Sequence, residues 1–429
     1  MQDADWAADG EKIAVVRFVP ENSHWRLEYP IGKVLFDSIN WISQPRISPD
    51  GRWIAFADHE NTVFDDEGSV AVIDTDGRDG EKERKISSGW LALEGILWSP
   101  TGDEIWFTST KTGLSTNPHG VTLSGKVRSI ANVPGGMWLQ DQRAGTVLMV
   151  THQARIGIRG VASGSKEERE LGWYGWSILS GISNDGRKIL FEEEGDGGGP
   201  NYTVFLRDTD GSPPVRIGEG SAVAISPDIK WVITMPAKGG PMMVVPAGTG
   251  ESRTLTHDSV SYSEVTWMPD GKHLLASGIE SGHGQRDYMI DFDTGISKPI
   301  TPEGTAGVHV SRDGTNVAVQ ASDGTWGILP LDGGEVRVTP GLNSTYDVIG
   351  WSPDGKSLYA ASKGKIDPTS KVYKVDPVTG RIDFWRTFGI LAGGSADSVI
   401  PPLFSSDGSA YAYEYQLLVS EAYLAKGLR

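Results

Sequence analysis

The stretch Gly350-Trp-Ser-Pro-Asp-Gly355, followed by the alternating run Lys356 to Ser362, restricts the fold more than any other part of the chain. Pro353 presets φ near about −65° for the first central position of a turn, Asp354 can bond its own backbone, and Gly355 accepts positive φ without steric cost. A short apolar entry that stops at such a turn and leaves as an alternating run is a β-hairpin. Leu358 and Ala360 then face one way and Tyr359 and Ala361 the other.

The same hairpin recurs along the chain. Its copies are Trp6-Ala-Ala-Asp9-Gly10, Ser48-Pro-Asp50-Gly51, Trp98-Ser-Pro-Thr101-Gly102, Ser183-Asn-Asp185-Gly186, Ser226-Pro-Asp228, Trp267-Met-Pro-Asp270-Gly271, Ser311-Arg-Asp313-Gly314 and Ser405-Ser-Asp407-Gly408, with a degenerate one at Gln142-Arg-Ala144-Gly145. The turn positions fall near 9, 50, 101, 144, 185, 228, 270, 313, 354 and 407. Their spacing of about 42 residues suits a four-stranded unit that buries its faces only against neighbouring copies. The sequence therefore predicts an all-β chain, a β-propeller of four-stranded antiparallel blades, with about ten repeats in one continuous disc or arc and residues 1–429 as a single domain. Two intervals are longer, and the extra residues fall in the acidic excursion from Asp58 to Gly68 and in Gly389 to Pro402. The last repeat lacks an obvious fourth strand. Met1 stands just before the Trp6 copy, and we expect a fragment of a longer signalling protein.

Composition excludes several function classes. With 56 acidic against 39 basic residues the net charge is −17, so phosphates are repelled and neither nucleic acid nor an anionic membrane is an expected partner. There are no cysteines, hence neither disulfides nor thiolate metal sites. No run is long and apolar enough for a membrane helix, and the first residues lack a signal peptide's basic and apolar parts.

The polar residues that stand out lie in loops between the second and third strands of blades, which should open on one side of the disc. They are Asp58, His59, Glu60, Asp65, Asp66 and Glu67, then Glu192, Glu193, Glu194 and Asp196, then His283, Arg286 and Asp287. The ligand-binding candidates are Asp58, His59, Asp65, Asp66, Glu67, Glu193, Asp196, His283 and Arg286. Clustered carboxylates could hold calcium through oxygen ligands, against the plainer reading of solvated acidic loops. The eight histidines show no His-x-x-x-His or His-Glu-x-x-His spacing, which argues against zinc. Gly181-Ile-Ser183 and Gly350-Trp-Ser352 lack the last glycine of a hydrolase elbow and belong to the repeat turn, so no catalytic serine is assigned. The repeated turn aspartates are expected to be structural. Gly195 to Gly199 lacks the Lys-Ser/Thr of a phosphate loop.

The repeat Trp-Ser-Pro-Asp-Gly-Lys resembles those of TolB-like, WD-repeat-like propellers. Longer strings, Asp3-Ala-Asp-Trp6, Glu28-Tyr-Pro-Ile-Gly-Lys-Val-Leu35, Trp41-Ile-Ser-Gln-Pro-Arg46, Gly197-Gly-Gly-Pro-Asn-Tyr202, Arg207-Asp-Thr-Asp-Gly-Ser212, Tyr411-Ala-Tyr-Glu-Tyr415 and Tyr423-Leu-Ala-Lys-Gly-Leu428, resemble the C-terminal propeller of acidobacterial-type membrane-anchored serine/threonine protein kinases. That resemblance implies an extracytoplasmic, periplasmic sensor region of a membrane-anchored bacterial protein. The kinase elements Val-Ala-Ile-Lys, His-Arg-Asp and Asp-Phe-Gly are absent from this chain. The expectation is a non-catalytic sensor or interaction propeller for an unknown protein, peptide or small molecule. The alternative is a propeller enzyme, hydrolase or lyase, with carboxylates and histidine near the axis; a repeat scaffold with no ligand is a third possibility.

Overall fold

The computed structural model describes residues 3–19, 24–59, 66–76, 83–111, 116–132, 136–195, 197–237, 239–363, 368–389 and 398–428. Among these, every regular element is a strand. The turns form as their chemistry requires. In six copies the serine hydroxyl donates to the turn aspartate at 2.5–2.8 Å: Ser48 to Asp50, Ser183 to Asp185, Ser226 to Asp228, Ser311 to Asp313, Ser352 to Asp354 and Ser405 to Asp407. The same hydroxyl accepts the amide five residues on, as Trp53 to Ser48 at 2.9 Å and Ser357 to Ser352 at 3.0 Å. Hydrogen bonds from Ser352 and the Lys356 amide hold the Asp354 carboxyl below its usual range. These aspartates are occupied by the turn, as the sequence predicts.

One copy breaks the rule. Where the others carry glycine, Ile229 sits at φ 61°, a conformation that crowds a β-branched side chain. Ile229→Gly is expected to stabilise the protein by about 0.5–1 kcal/mol, the relief of strain exceeding glycine's extra chain entropy. An unchanged or lower urea midpoint would refute this.

The repeated tryptophan has its own task. Trp98 donates its indole N–H to the Arg46 carbonyl at 2.9 Å and Trp351 to that of His309 at 2.9 Å, each reaching back to the innermost strand of the preceding blade. The core is likewise laid down between blades: Ala14, Val16 and Leu27 of one pack with Ile54, Phe56 and Ala71 of the next. Period-two alternation supplies both faces of a blade, so each is stable only beside its neighbours.

The chain divides into two compact units, 1–153 with 419–429, and 154–418. The first holds four-stranded sheets over 3–38, 42–90 and 92–129, and then Trp138–Arg143 paired with the strand that begins at Thr146. The second holds four-stranded blades over 177–219, 221–254, 261–299, 305–338 and 346–389. Its sixth blade is composite. Leu403–Phe404 pairs with the strand from Tyr411, which neighbours the end of Thr146–Val161, which pairs with Arg169–Glu170. Gly157 and Gly160 leave room there for Tyr415 and the Tyr411–Ala412 backbone, and Tyr413 and Tyr415 donate to Glu168 and Glu170 at 3.0 and 2.6 Å. The innermost strands Ser177–Ile182, Ser221–Ile225, Ser261–Trp267, Thr305–Val310, Tyr346–Trp351 and Leu403–Phe404 touch in that order and the last touches the first. Unit two is thus a closed six-bladed propeller.

This revises the expectation of one continuous disc of ten. The repeats are shared between two units, and the segment that reads as a degenerate fourth blade supplies the outer strands that the last repeat lacks. Local turn chemistry carries no information about such a long-range pairing.

Candidate functional site

The innermost strands of unit two surround an axial cavity of about 1190 Å³. Most of its wall is small or neutral, with Ser180, Ser221, Ser263, Gln285 and Gln320 among the polar groups. Its charged side chains come from two blades, Glu264 on Ser261–Trp267 of one and Asp347 on Tyr346–Trp351 with Lys363 just beyond Leu358–Ser362 of the other, and His309 on Thr305–Val310 of the blade between them also lines it. Lys363 Nζ lies 2.6 Å from Asp347 Oδ1, an ion pair across the hairpin. Glu264 opens onto the cavity while the walls surround it. Desolvation, and then the Asp347 charge, raise its carboxyl above the usual range, and Lys363 pulls it partly back. Burial pushes His309 down to about 4, so its ring is neutral at pH 7.

Behind the wall lies Asp287, fully buried. Ser277 Oγ donates to it at 2.6 Å and the Gly307 amide at 2.9 Å. Burial outweighs these bonds and pushes its carboxyl up to about 7. Among the described residues no cavity serine bonds to His309, so the wall presents carboxyl and imidazole groups rather than an activated serine.

The loop residues singled out from the sequence have other places. Asp58 is buried with an ion pair to Lys85 at 2.9 Å. His59 stacks on Trp41 with centroids 3.8 Å apart, while Ser43 Oγ and the Glu67 carbonyl bond its two ring nitrogens at 2.8 and 3.1 Å. The Asp66 carbonyl accepts the Leu93 amide at 2.9 Å. These residues belong to unit one. In unit two, Glu193 is fully buried and accepts from the Ser177 hydroxyl and from the Tyr174 amide at 3.1 Å. His283 pairs with Glu303 at 2.6 Å, and Arg286 with Glu280 at 3.3 Å. Asp65 and Asp196 lie outside the described residues. Glu193, His283 and Arg286 are not among the residues lining the cavity. Among the described residues no three His, Asp or Glu side chains are arranged to hold a metal ion.

The cavity residues escaped the sequence reading because they sit inside strands whose alternation looks ordinary. The available signal was a charge at innermost-strand positions where the neighbouring repeats carry small or apolar residues, as at Glu264 and Asp347 against Ser221, Ala222, Ala306 and Gly307.

Fold and cavity together define an all-β propeller chain with a polar axial chamber. No family model matches it. By sequence it is similar to the uncharacterized peptidase YuxL of Bacillus subtilis (strain 168), with 23% identity over 194 residues, 44% of this chain and 29% of that protein. The chain therefore spans less than a third of that relative's length. Among solved structures it is similar to a puromycin hydrolase (TM-score 0.39, 16% identity, covering 76% of this chain and 58% of that one). It is also similar to TolB from Acinetobacter baumannii (TM-score 0.26, 15% identity, covering 96% and 82%). The expectation of a non-catalytic sensor module of a kinase, and with it the expectation that the propeller is not an enzyme, is corrected by the sequence similarity to a peptidase.

Proposed function

We propose that this chain serves a hydrolase of the peptidase kind, with the axial cavity of unit two as its substrate chamber. The observation that carries the reading is the charged set inside that chamber: Glu264, with a raised carboxyl, beside the Asp347–Lys363 ion pair. Two carboxyl groups in unlike environments can divide acid and base roles. Glu264 would donate its proton to the departing amine. Asp347 would take a proton from the water that adds to the carbonyl. His309, neutral, would accept or donate a hydrogen bond to the substrate.

The test is hydrolysis of a fluorogenic peptide library by the purified chain. Glu264→Gln and Asp347→Asn are each expected to lower kcat/KM by about 10²–10⁴. If Glu264 is the acid, activity falls as pH rises through its pKa. Lys363 lowers that pKa, so Lys363→Met should move the alkaline limb to higher pH. Turnover by Glu264→Gln at the wild-type rate, or an alkaline limb that stays in place, would sink the reading.

A further inference from the structure

Two other carboxyl groups of unit two act on the blades rather than on the chamber. Glu414, in the composite blade, accepts the Leu179 amide of the next innermost strand at 3.1 Å. Glu192, one blade further on, accepts the Ala222 amide in the same way. Both amides lie at register shifts, Leu179/Gly181 and Ala222/Ala224, where the innermost strand stops bonding its own blade and a backbone donor is left for a neighbour. Thr108 does the same in unit one, accepting the Leu139 amide at 3.1 Å beside the shift Leu139/Asp141. At these three steps from blade to blade a side chain thus latches the next innermost strand.

What distinguishes the two glutamates is a third. Glu194, two residues along the chain from Glu192, shares a hydrogen bond with it and acts on Glu414 through its charge. The other groups that act most strongly on them are the Leu179 and Ala222 amides and Ser221, none of which is a cation. Each negative charge among these carboxyl groups opposes the ionisation of the others. The latched strands also form part of the chamber wall: Ser180, Ser221 and Ala222 line it, as does Ile400, whose amide donates to the Glu414 carbonyl at 2.9 Å.

We propose that Glu192, Glu194 and Glu414 form a proton-operated seam in the wall of the axial chamber, closed when the two latch carboxyls carry protons and loosened when they lose them. Desolvation, opposed by the amide bonds and reinforced by Glu194, raises Glu192 to about 8; desolvation raises Glu414 to about 7. For carboxyls raised on folding, the neutral form is the native one, so their contribution is full at acid pH and is lost as pH rises through about 7–8. The seam joins the closing blade to the two that follow it, and its loosening widens side access to the chamber without unfolding the other blades.

The experiment is amide hydrogen exchange of the full chain at pH 6 and pH 8.5, corrected for the intrinsic pH dependence of exchange. Peptides covering 177–182 and 221–225 are expected to lose at least tenfold in protection at the higher pH, while 326–330, away from both the seam and Asp287, stays constant. Glu194→Gln removes the repelling charge without touching either latched amide and is expected to abolish most of that change. Glu414→Gln, which keeps the shape of the protonated acid, is expected to make 177–182 insensitive to pH. Equal corrected protection at both pH values in the wild type, loss spread evenly over 326–330 as well, or a Glu194→Gln protein with the full wild-type response would each overturn the proposal.

Discussion

Gly380→Ala is expected to destabilise the protein by about 4 kcal/mol, whereas Gly355→Ala, at nearly the same backbone angle, costs only about 1–2 kcal/mol. Gly380 has φ 72° and Gly355 φ 68°, so both substitutions incur the left-handed penalty of an L residue. They differ in what a methyl group would meet. At Gly355 there is nothing within 4 Å, while at Gly380 it would lie 2.0 Å from the Pro340 carbonyl oxygen. Pro340 follows the outermost strand of the preceding blade, and a backbone atom cannot swing aside as a side chain can. Only separation of the blades relieves the overlap, and each blade's core lies in that interface. Gly295 repeats the arrangement two blades earlier, its methyl falling 1.8 Å from the Leu255 carbonyl. Urea midpoints of the two alanine variants, with slopes unchanged, make the comparison. Equal losses at Gly380 and Gly355 would show that the turn angle, not the blade contact, sets the requirement.

This pair of glycines marks how far the sequence is legible. That both positions are turns follows from local chemistry: Asp376 accepts the Val378 and Thr379 amides at 2.9 Å, and Asp354 accepts that of Lys356 at 3.2 Å. That one glycine is open and the other pressed against a carbonyl some forty residues away depends on how blades stack, which no local pattern records. The same division runs through the molecule. Ser352, Asp354 and Trp351 declare their roles because their partners lie within a turn or one repeat away. The composite blade does not, since Gly157 meets Tyr415 across most of the chain. The acidic loops drew attention because they are rich in charge, yet Asp58, His59 and Glu193 spend their polar atoms on nearby strands. Glu264 and Asp347 are single charges in unremarkable strands, and only ring closure sets them around one chamber.

Asp287 shows how such a buried charge governs stability. Ser277 and the Gly307 amide donate to its carboxyl, and each bond favours the ionised form by about 1.5–3 kcal/mol at most. Complete burial costs more, and the neighbouring Glu264 adds to it, so the group stands near 7 rather than 3.8. Since the native pKa is raised, the folded state binds the proton that the unfolded chain releases, and stability falls as pH rises between about 4 and 7. The loss from this one group is about 4 kcal/mol, on the order of a third to a half of a typical domain's stability. Asp287→Asn keeps the size and an acceptor oxygen but carries no charge. It is expected to be less stable than the wild type at pH 5 by about 1 kcal/mol, where the acid is neutral and its bonds are intact, and more stable at pH 8.5 by about 2 kcal/mol. A crossing of the two stability curves near about pH 6 is therefore the diagnostic result, read from urea midpoints at a series of pH values. Glu192 and Glu414 titrate alike in both proteins and drop out of the difference. Were that difference the same at pH 5 and 8.5, Asp287 would have to be ionised throughout, with Ser277 and Gly307 outweighing burial after all.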